Sequence, residues 1–196
     1  MKKFLAILIL ILTFQTPSQA DDIRDFQIEG MSIGDSALDY FSEKEIKQNI
    51  NKNYYKNKKY TSVEFYKDKR FKTYETVEFN YLTKDKNYII VSIAGGTLCH
   101  KNFSKCKNLQ KEIESDVSET FKNLEKETIN SKHPADKSGK STSSQIVFWF
   151  KNDDAIVIEL TDWSKEITQK KRWTDNVSLV LYSRDFGRWV LHEVNN

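Results

Sequence analysis

Cysteine, proline and histidine are scarce in this chain of 196 residues: two, two and three of each. Two cysteines exclude a disulfide-dense miniprotein and allow one intramolecular bridge. The histidines His100, His133 and His192 contain no H-x-x-x-H pair, so a catalytic metal is not indicated. Six glycines without a three-residue period exclude a collagen. After Phe14 no apolar run approaches the roughly 20 residues that span a bilayer, which excludes a polytopic membrane protein. No charge sign dominates, with 31 Lys+Arg against 28 Asp+Glu. Aromatic residues are present in quantity, at 13%, and they argue against wholesale disorder.

The first 20 residues read as a secretory signal peptide. Lys2 and Lys3 form a positive start, Phe4 to Phe14 is apolar except for Thr13, and Ser18 and Ala20 place small side chains before a cut after Ala20. The apolar run is too short for a comfortable permanent span. No cysteine near the cut supports a lipid anchor. The expected location is exported, periplasmic or secreted, with no transmembrane anchor after cleavage. Loss of Lys2 and Lys3 leaves 29 basic and 28 acidic side chains, so net charge implies no polyanion partner.

Export would place Cys99 and Cys106 where disulfides persist. A bridge would tie the end of the run Tyr88–Leu98 to the start of the best helical segment. The competing readings are a redox switch or, with His100, a metal site. C-x6-C plus one histidine lacks the ligand count and spacing of structural zinc, so the structural disulfide is preferred.

Periodicity supplies a coarse architecture. Asp35 and Ser36 can cap a short helix through Leu38 and Phe41, and Ser42 with Glu45 reads as a capping box for a second. Strands are expected at 60–66, 74–82 and 88–94, the last apolar enough to be central. A long helix is expected over 105–129, with Cys106, Leu109, Ile113, Val117, Phe121, Leu124 and Thr128 on one stripe. A polar loop over 130–144 follows, then a hairpin at 146–150 and 155–160, a polar stretch over 161–174, a strand at 177–182 and a terminal helix or strand from Phe186, with helix preferred. The fold class is α+β. An antiparallel sheet of about six strands is packed by one long helix and shorter N-terminal helices. Residues 21–196 form one domain, with halves 21–98 and 99–196 suggested by a repeated helix-then-three-strands pattern.

The segment Ile28-Glu29-Gly30-Met31-Ser32-Ile33-Gly34-Asp35-Ser36, the loop His133-Pro134-Ala135-Asp136-Lys137-Ser138 and the turn Thr161-Asp162-Trp163-Ser164 carry a resemblance to a family of uncharacterised exported bacterial proteins. That resemblance covers most of the chain and brings no activity. Gly30-Met31 and the element order are also loosely similar to small envelope modules of the SmpA and β-lactamase-inhibitor type. Gly34 and the long second helix depart from that pattern. The similarity implies a fold and not a function.

Candidate chemistry is thin. Gly139-Lys140-Ser141 ends like a phosphate-binding loop, but Pro134 stands where its first glycine should be, so no nucleotide is expected. His133, Asp136 and Ser138, or His133 with Asp162, have the residue types of a hydrolase. The first three crowd one loop and no G-x-S-x-G elbow occurs, so a polar surface loop is the plainer reading. Asp153 and Asp154 are turn residues. Lys47, Lys52, Lys56, Lys58 and Lys59 interleave with Tyr54, Tyr55 and Tyr60 and can hold polyanions or a membrane surface. The plainer reading is a solvated helix end over 47–60.

Trp163 and Trp173 have polar flanks and can anchor a ligand, or merely cover a sheet edge. Expected, then, is a non-catalytic binding module without cofactor. Its face is the 130–145 loop with the 161–174 segment, including Trp163, Trp173, Lys137 and Lys140. Its partner is an envelope protein or a small ligand. A small periplasmic hydrolase is the alternative.

Overall fold

The computed structural model describes residues 22–194, apart from 53 and 101. The signal-peptide reading over residues 1–20 falls outside the described residues. Short 3-10 turns at Ile23–Asp25 and Ala37–Asp39 lead into α1, Glu43–Gln48. Both halves of the expected capping box form. Glu45 N–H donates to Ser42 Oγ, and Ser42 N–H donates to the Glu45 carboxylate. The strands are β1 Tyr60–Tyr66, β2 Thr76–Leu82, β3 Ser92–Leu98, β4 Glu125–Lys132, β5 Thr142–Trp149, β6 Ala155–Asp162 and β7 Asn176–Tyr182. The remaining helices are α2 Phe103–Thr120, α3 Lys165–Lys171 and α4 Arg184–His192.

All seven strands make one antiparallel sheet in the order β1-β2-β3-β7-β6-β5-β4. Two three-strand meanders, β1-β2-β3 and β4-β5-β6, each follow a helix, and β7 is inserted between them. The alternation of side chains divides the sheet into two unlike faces. Across one face run the register partners Val63, Phe79, Ile93, Leu181, Ile156 and Phe148, all buried. α2 packs on β6 and β7 there, and Ile23, Ile28, Met31, Phe41 and Ile46 from the N-terminal elements join the same core. Across the opposite face the matching row is Glu64, Glu78, Ala94, Val180, Val157, Val147 and Glu127. α4 covers only one end of that face, where Phe186 and Trp189 pack with Tyr55, Tyr60 and Tyr182.

The disulfide joins Cys99, just beyond β3, to Cys106 in the first turns of α2, with Cα atoms 5.6 Å apart. It fastens the covering helix to the sheet.

Three expectations about element bounds need correction. The long helix over 105–129 stops at Thr120, and residues 125–132 form an edge strand. The helical stripe is real through Val117 and Phe121, both buried. Beyond it every residue of β4 is exposed, so no apolar face holds a helix there, and pairing with β5 satisfies the backbone instead. The third strand begins at Ser92, not Tyr88, because Ile90 exchanges backbone hydrogen bonds with Gly34 and Asp35 of the N-terminal loop. The polar loop is shorter than 130–144, since β4 reaches Lys132 and β5 starts at Thr142. The polar 161–174 stretch holds the small helix α3, and the terminal segment is a helix as preferred.

Candidate binding site

The 133–141 loop is organised by one carboxylate. Asp136 accepts from Ser138 N–H (2.9 Å), Ser141 N–H (3.0 Å), Ser141 Oγ (2.7 Å) and Ser164 Oγ (3.0 Å). Hydrogen bonds from Ser141 and then Ser138 hold its carboxyl below the ordinary range. Ser164 caps α3 through its Oγ, so Asp136 ties the loop to that helix. His133 turns elsewhere. Its Nδ1 accepts from Ala135 N–H, and burial lowers its pKa. Among the described residues no hydrogen bond joins His133 to Ser138, Asp136 or Asp162 through its ring.

The same clamp brings three rings together at a tilt. His133 lies 4.2 Å from Trp163, and Trp163 lies 4.6 Å from Trp173, between ring centroids. Trp173 remains exposed, as do Lys137 and Lys140. Asp162 faces the other way. It lines a polar hollow of about 510 Å³ beneath α2, with Lys107, Asn130 and Thr142, and burial followed by the Asp175 charge raises its pKa. The Lys/Tyr segment over 47–60 turns Tyr55 and Tyr60 inward and leaves Tyr54 exposed. Tyr55 lies 4.7 Å from Trp189 edge-on, and Tyr60 lies 4.9 Å from it. Lys47 pairs with Glu43 and Lys59 with Glu193.

The aromatic ladder sits at one end of the open sheet face, because His133 and Trp163 continue the parity of Ser131 and Thr161. At the other end, between α4 and strands β5, β6 and β7, is an apolar cavity of about 410 Å³. Val147, Ala155, Val157 and Tyr182 come from the strands, Trp149 stands toward the edge, and Gly187, Val190 and Leu191 come from α4. Leu191 is 70% exposed and Ile129, at the mouth, 37%. Gly187 matters for space. A Cβ there would meet only Tyr182 Cβ at 3.8 Å, so the helix leaves the cavity open by choice of residue rather than by strain.

The open face also carries carboxylates on β1, β2 and β6. Glu159 accepts from Gln145 Nε2, and Gln145 itself lines the cavity. Glu78 sits opposite Glu64 on the neighbouring strand, and burial first, then the Glu64 charge, pushes it up to about 7. Burial and then the charges of Glu159 and Glu78 raise the Tyr182 hydroxyl above its ordinary range. Among the described residues no Lys, Arg or His makes an ion pair with Glu64, Glu78 or Glu159. Two buried side-chain polar atoms among the described residues lack a hydrogen-bond partner, Ser92 Oγ and Trp189 Nε1. Ser92 pairs in register with Asn80 and Tyr182, on this same face.

Sequence reasoning named the ladder residues and missed Glu78, Glu159, Tyr182 and Gly187. A signal existed for two of them. A glutamate inside Val77-Glu78-Phe79 or Ile158-Glu159-Leu160 marks the outward face of an otherwise apolar strand. What no local pattern carries is that the two strands turn these glutamates onto the same face of one sheet.

Comparison with protein families, curated proteins and solved structures finds no match to this chain.

Proposed function

We propose that this chain is an exported, non-catalytic binding module whose working surface is the open face of the sheet. The observation that carries this reading is the apolar cavity of about 410 Å³ between α4 and β5–β7, a size and lining suited to a small ligand. Large apolar side chains at its mouth, Leu191 and Ile129, are exposed. The aromatic ladder extends the same surface, so the expected 130–145 and 161–174 face forms its far end. The non-catalytic reading is supported by Asp136, whose oxygens are engaged by backbone and serine donors rather than by His133. The exported location is supported by the N-terminal signal pattern and by the Cys99–Cys106 disulfide. No described helix is long and apolar enough to cross a membrane.

The test uses the full chain and a neutral apolar fluorophore, N-phenyl-1-naphthylamine. The fluorophore should brighten on binding, and Gly187→Leu, which puts a side chain into the cavity, should weaken binding by more than about tenfold. Circular dichroism should show the variant folded. Equal binding by both proteins would sink the cavity as the site.

A further inference from the structure

The covered face is not apolar to its end. Along β5 the inward parity of Phe148 and Ile146 runs on to Ser144 and Thr142. Along β6 that of Ile156 and Ile158 runs through Leu160 to Asp162, and β4 contributes Asn130. The register gathers these residues, with Asn130 beside Ser144 and Thr142 beside Asp162. Polar side chains on the face that elsewhere forms the core break the strands' own pattern, and such breaks concentrate where a surface has work besides folding. α2 does not seal the patch. Between its first turns and these strands lies the polar hollow of about 510 Å³, whose apolar lining comes from Phe103 and Leu160.

The helix wall of the hollow is braced against its floor. Gln110 is only 8% exposed, and its Nε2 donates to the Ser144 carbonyl of β5 at 2.9 Å and the Ile158 carbonyl of β6 at 3.3 Å. The Cys99–Cys106 bridge holds the same stretch of helix one turn earlier. Lys107 and Lys111, one turn apart on α2, both line the hollow. Lys107 rests over the Phe103 ring at 5.1 Å. Among the described residues neither lysine makes an ion pair. Asp162 is the carboxylate of the lining, so the two ammonium groups outnumber it. Asn108, Asn130, Thr142 and Ser144 add amides and hydroxyls, each able to donate and to accept.

We propose that this hollow is a second binding site, for a small hydroxylated anion of the sugar-acid class, with its carboxylate toward Lys107 and Lys111 and its hydroxyls on the floor of Asn130, Thr142 and Ser144. The site lies on the opposite face of the sheet from the cavity under α4 and does not depend on it. Its volume is ample for a sugar ring. Amides and hydroxyls match a polyol, whose hydroxyls also both donate and accept. The lysines set the sign of the charge. An amino sugar would bring a further ammonium against them and is disfavoured.

Three probes built on one ring separate charge from hydroxyls: D-glucuronate, D-glucose and D-glucosamine. Each is titrated against the full chain by calorimetry at low salt and about pH 6.5, where the first is an anion and the last a cation. Glucuronate should bind at least about tenfold tighter than glucose, and glucosamine no tighter than glucose. Lys107→Gln/Lys111→Gln changes two exposed positions and should bring glucuronate down to the level of glucose. Ser144→Leu puts an apolar side chain on the floor and should weaken glucuronate and glucose together. Circular dichroism should show both variants folded. If the lysine variant keeps full affinity for glucuronate, or glucosamine binds as well as glucuronate, the assignment of an anion is wrong. If glucuronate binds and Ser144→Leu leaves it unaltered, the hollow is not its site. If none of the three binds, the inference falls, and the cavity under α4 is untouched by that result.

Discussion

The two faces of the sheet are built from the same strands and do opposite things. The covered face carries mainly Ile, Leu, Val and Phe and is closed by α2 and the N-terminal elements. The open face carries Glu, Ser, Gln and Ala beside three valines, and α4 closes only one end of it. Hydrophobic burial on the first face supplies the stability that lets the second keep half-buried acids and an apolar recess. Gly95 illustrates how tight the covered face is. A Cβ there would lie 2.6 Å from the Tyr74 ring, whereas one at Gly187 on the other side would meet nothing closer than 3.8 Å.

This contrast can be broken at several points. The largest effect is expected from Phe79→Ala, which empties a fully buried site on the covered face. Urea unfolding should show a loss of about 3–5 kcal/mol. Val157→Ala on the open face removes less volume and should cost only about 1 kcal/mol. If the two losses are equal, the asymmetry between faces is wrong.

Reducing the Cys99–Cys106 bridge comes next. It should cost about 2–3 kcal/mol by freeing the start of α2 from the end of β3, read as a lower Tm in reductant. An unchanged Tm would mean that apolar packing alone secures α2.

Glu78→Gln tests the open face by its sign. A carboxyl pushed up to about 7 contributes its stability below the ordinary carboxylate range and loses it as pH rises through about 7. The groups acting on it are Glu64 and Ser62 on β1 and Asn80 on its own strand, and its charge in turn acts on Tyr54 and Tyr182. Glutamine should therefore stabilise the fold by on the order of 1–2 kcal/mol at about pH 8.5, and by little at about pH 5. Destabilisation at the higher pH would show that the ionised carboxylate is well accommodated without a ligand.

The smallest effect is expected from Gly187→Ala. It should raise stability by about 0.5–1 kcal/mol through helix propensity, since its Cβ has room. A loss instead would mean that α4 already presses on the sheet.

The local chemistry of the chain was sufficient for much of this. Two cysteines leave one pairing, and Ser42 with Glu45 specifies a helix start because the reciprocal hydrogen bonds span only three residues. The alternation in β1 and β2 and the stripe of α2 through Val117 follow from period alone. Residues 125–132 show the limit. Their composition is polar and mildly helical, and only the free edge of β5 makes them a strand. The site shows it again. His133, Trp163 and Trp173 were visible as residue types. Their contact required Asp136 to draw loop and α3 together, and their sharing a sheet face with Glu78 required β7 to enter between β3 and β6. Most of the helices and strands, and the apolar face of each, are written locally, because they depend on neighbours within a turn or a pleat; β4 is the exception. Tertiary structure decided which strands lie side by side, and so which outward-facing residues form one surface, because strand order is settled by contacts between distant parts of the chain.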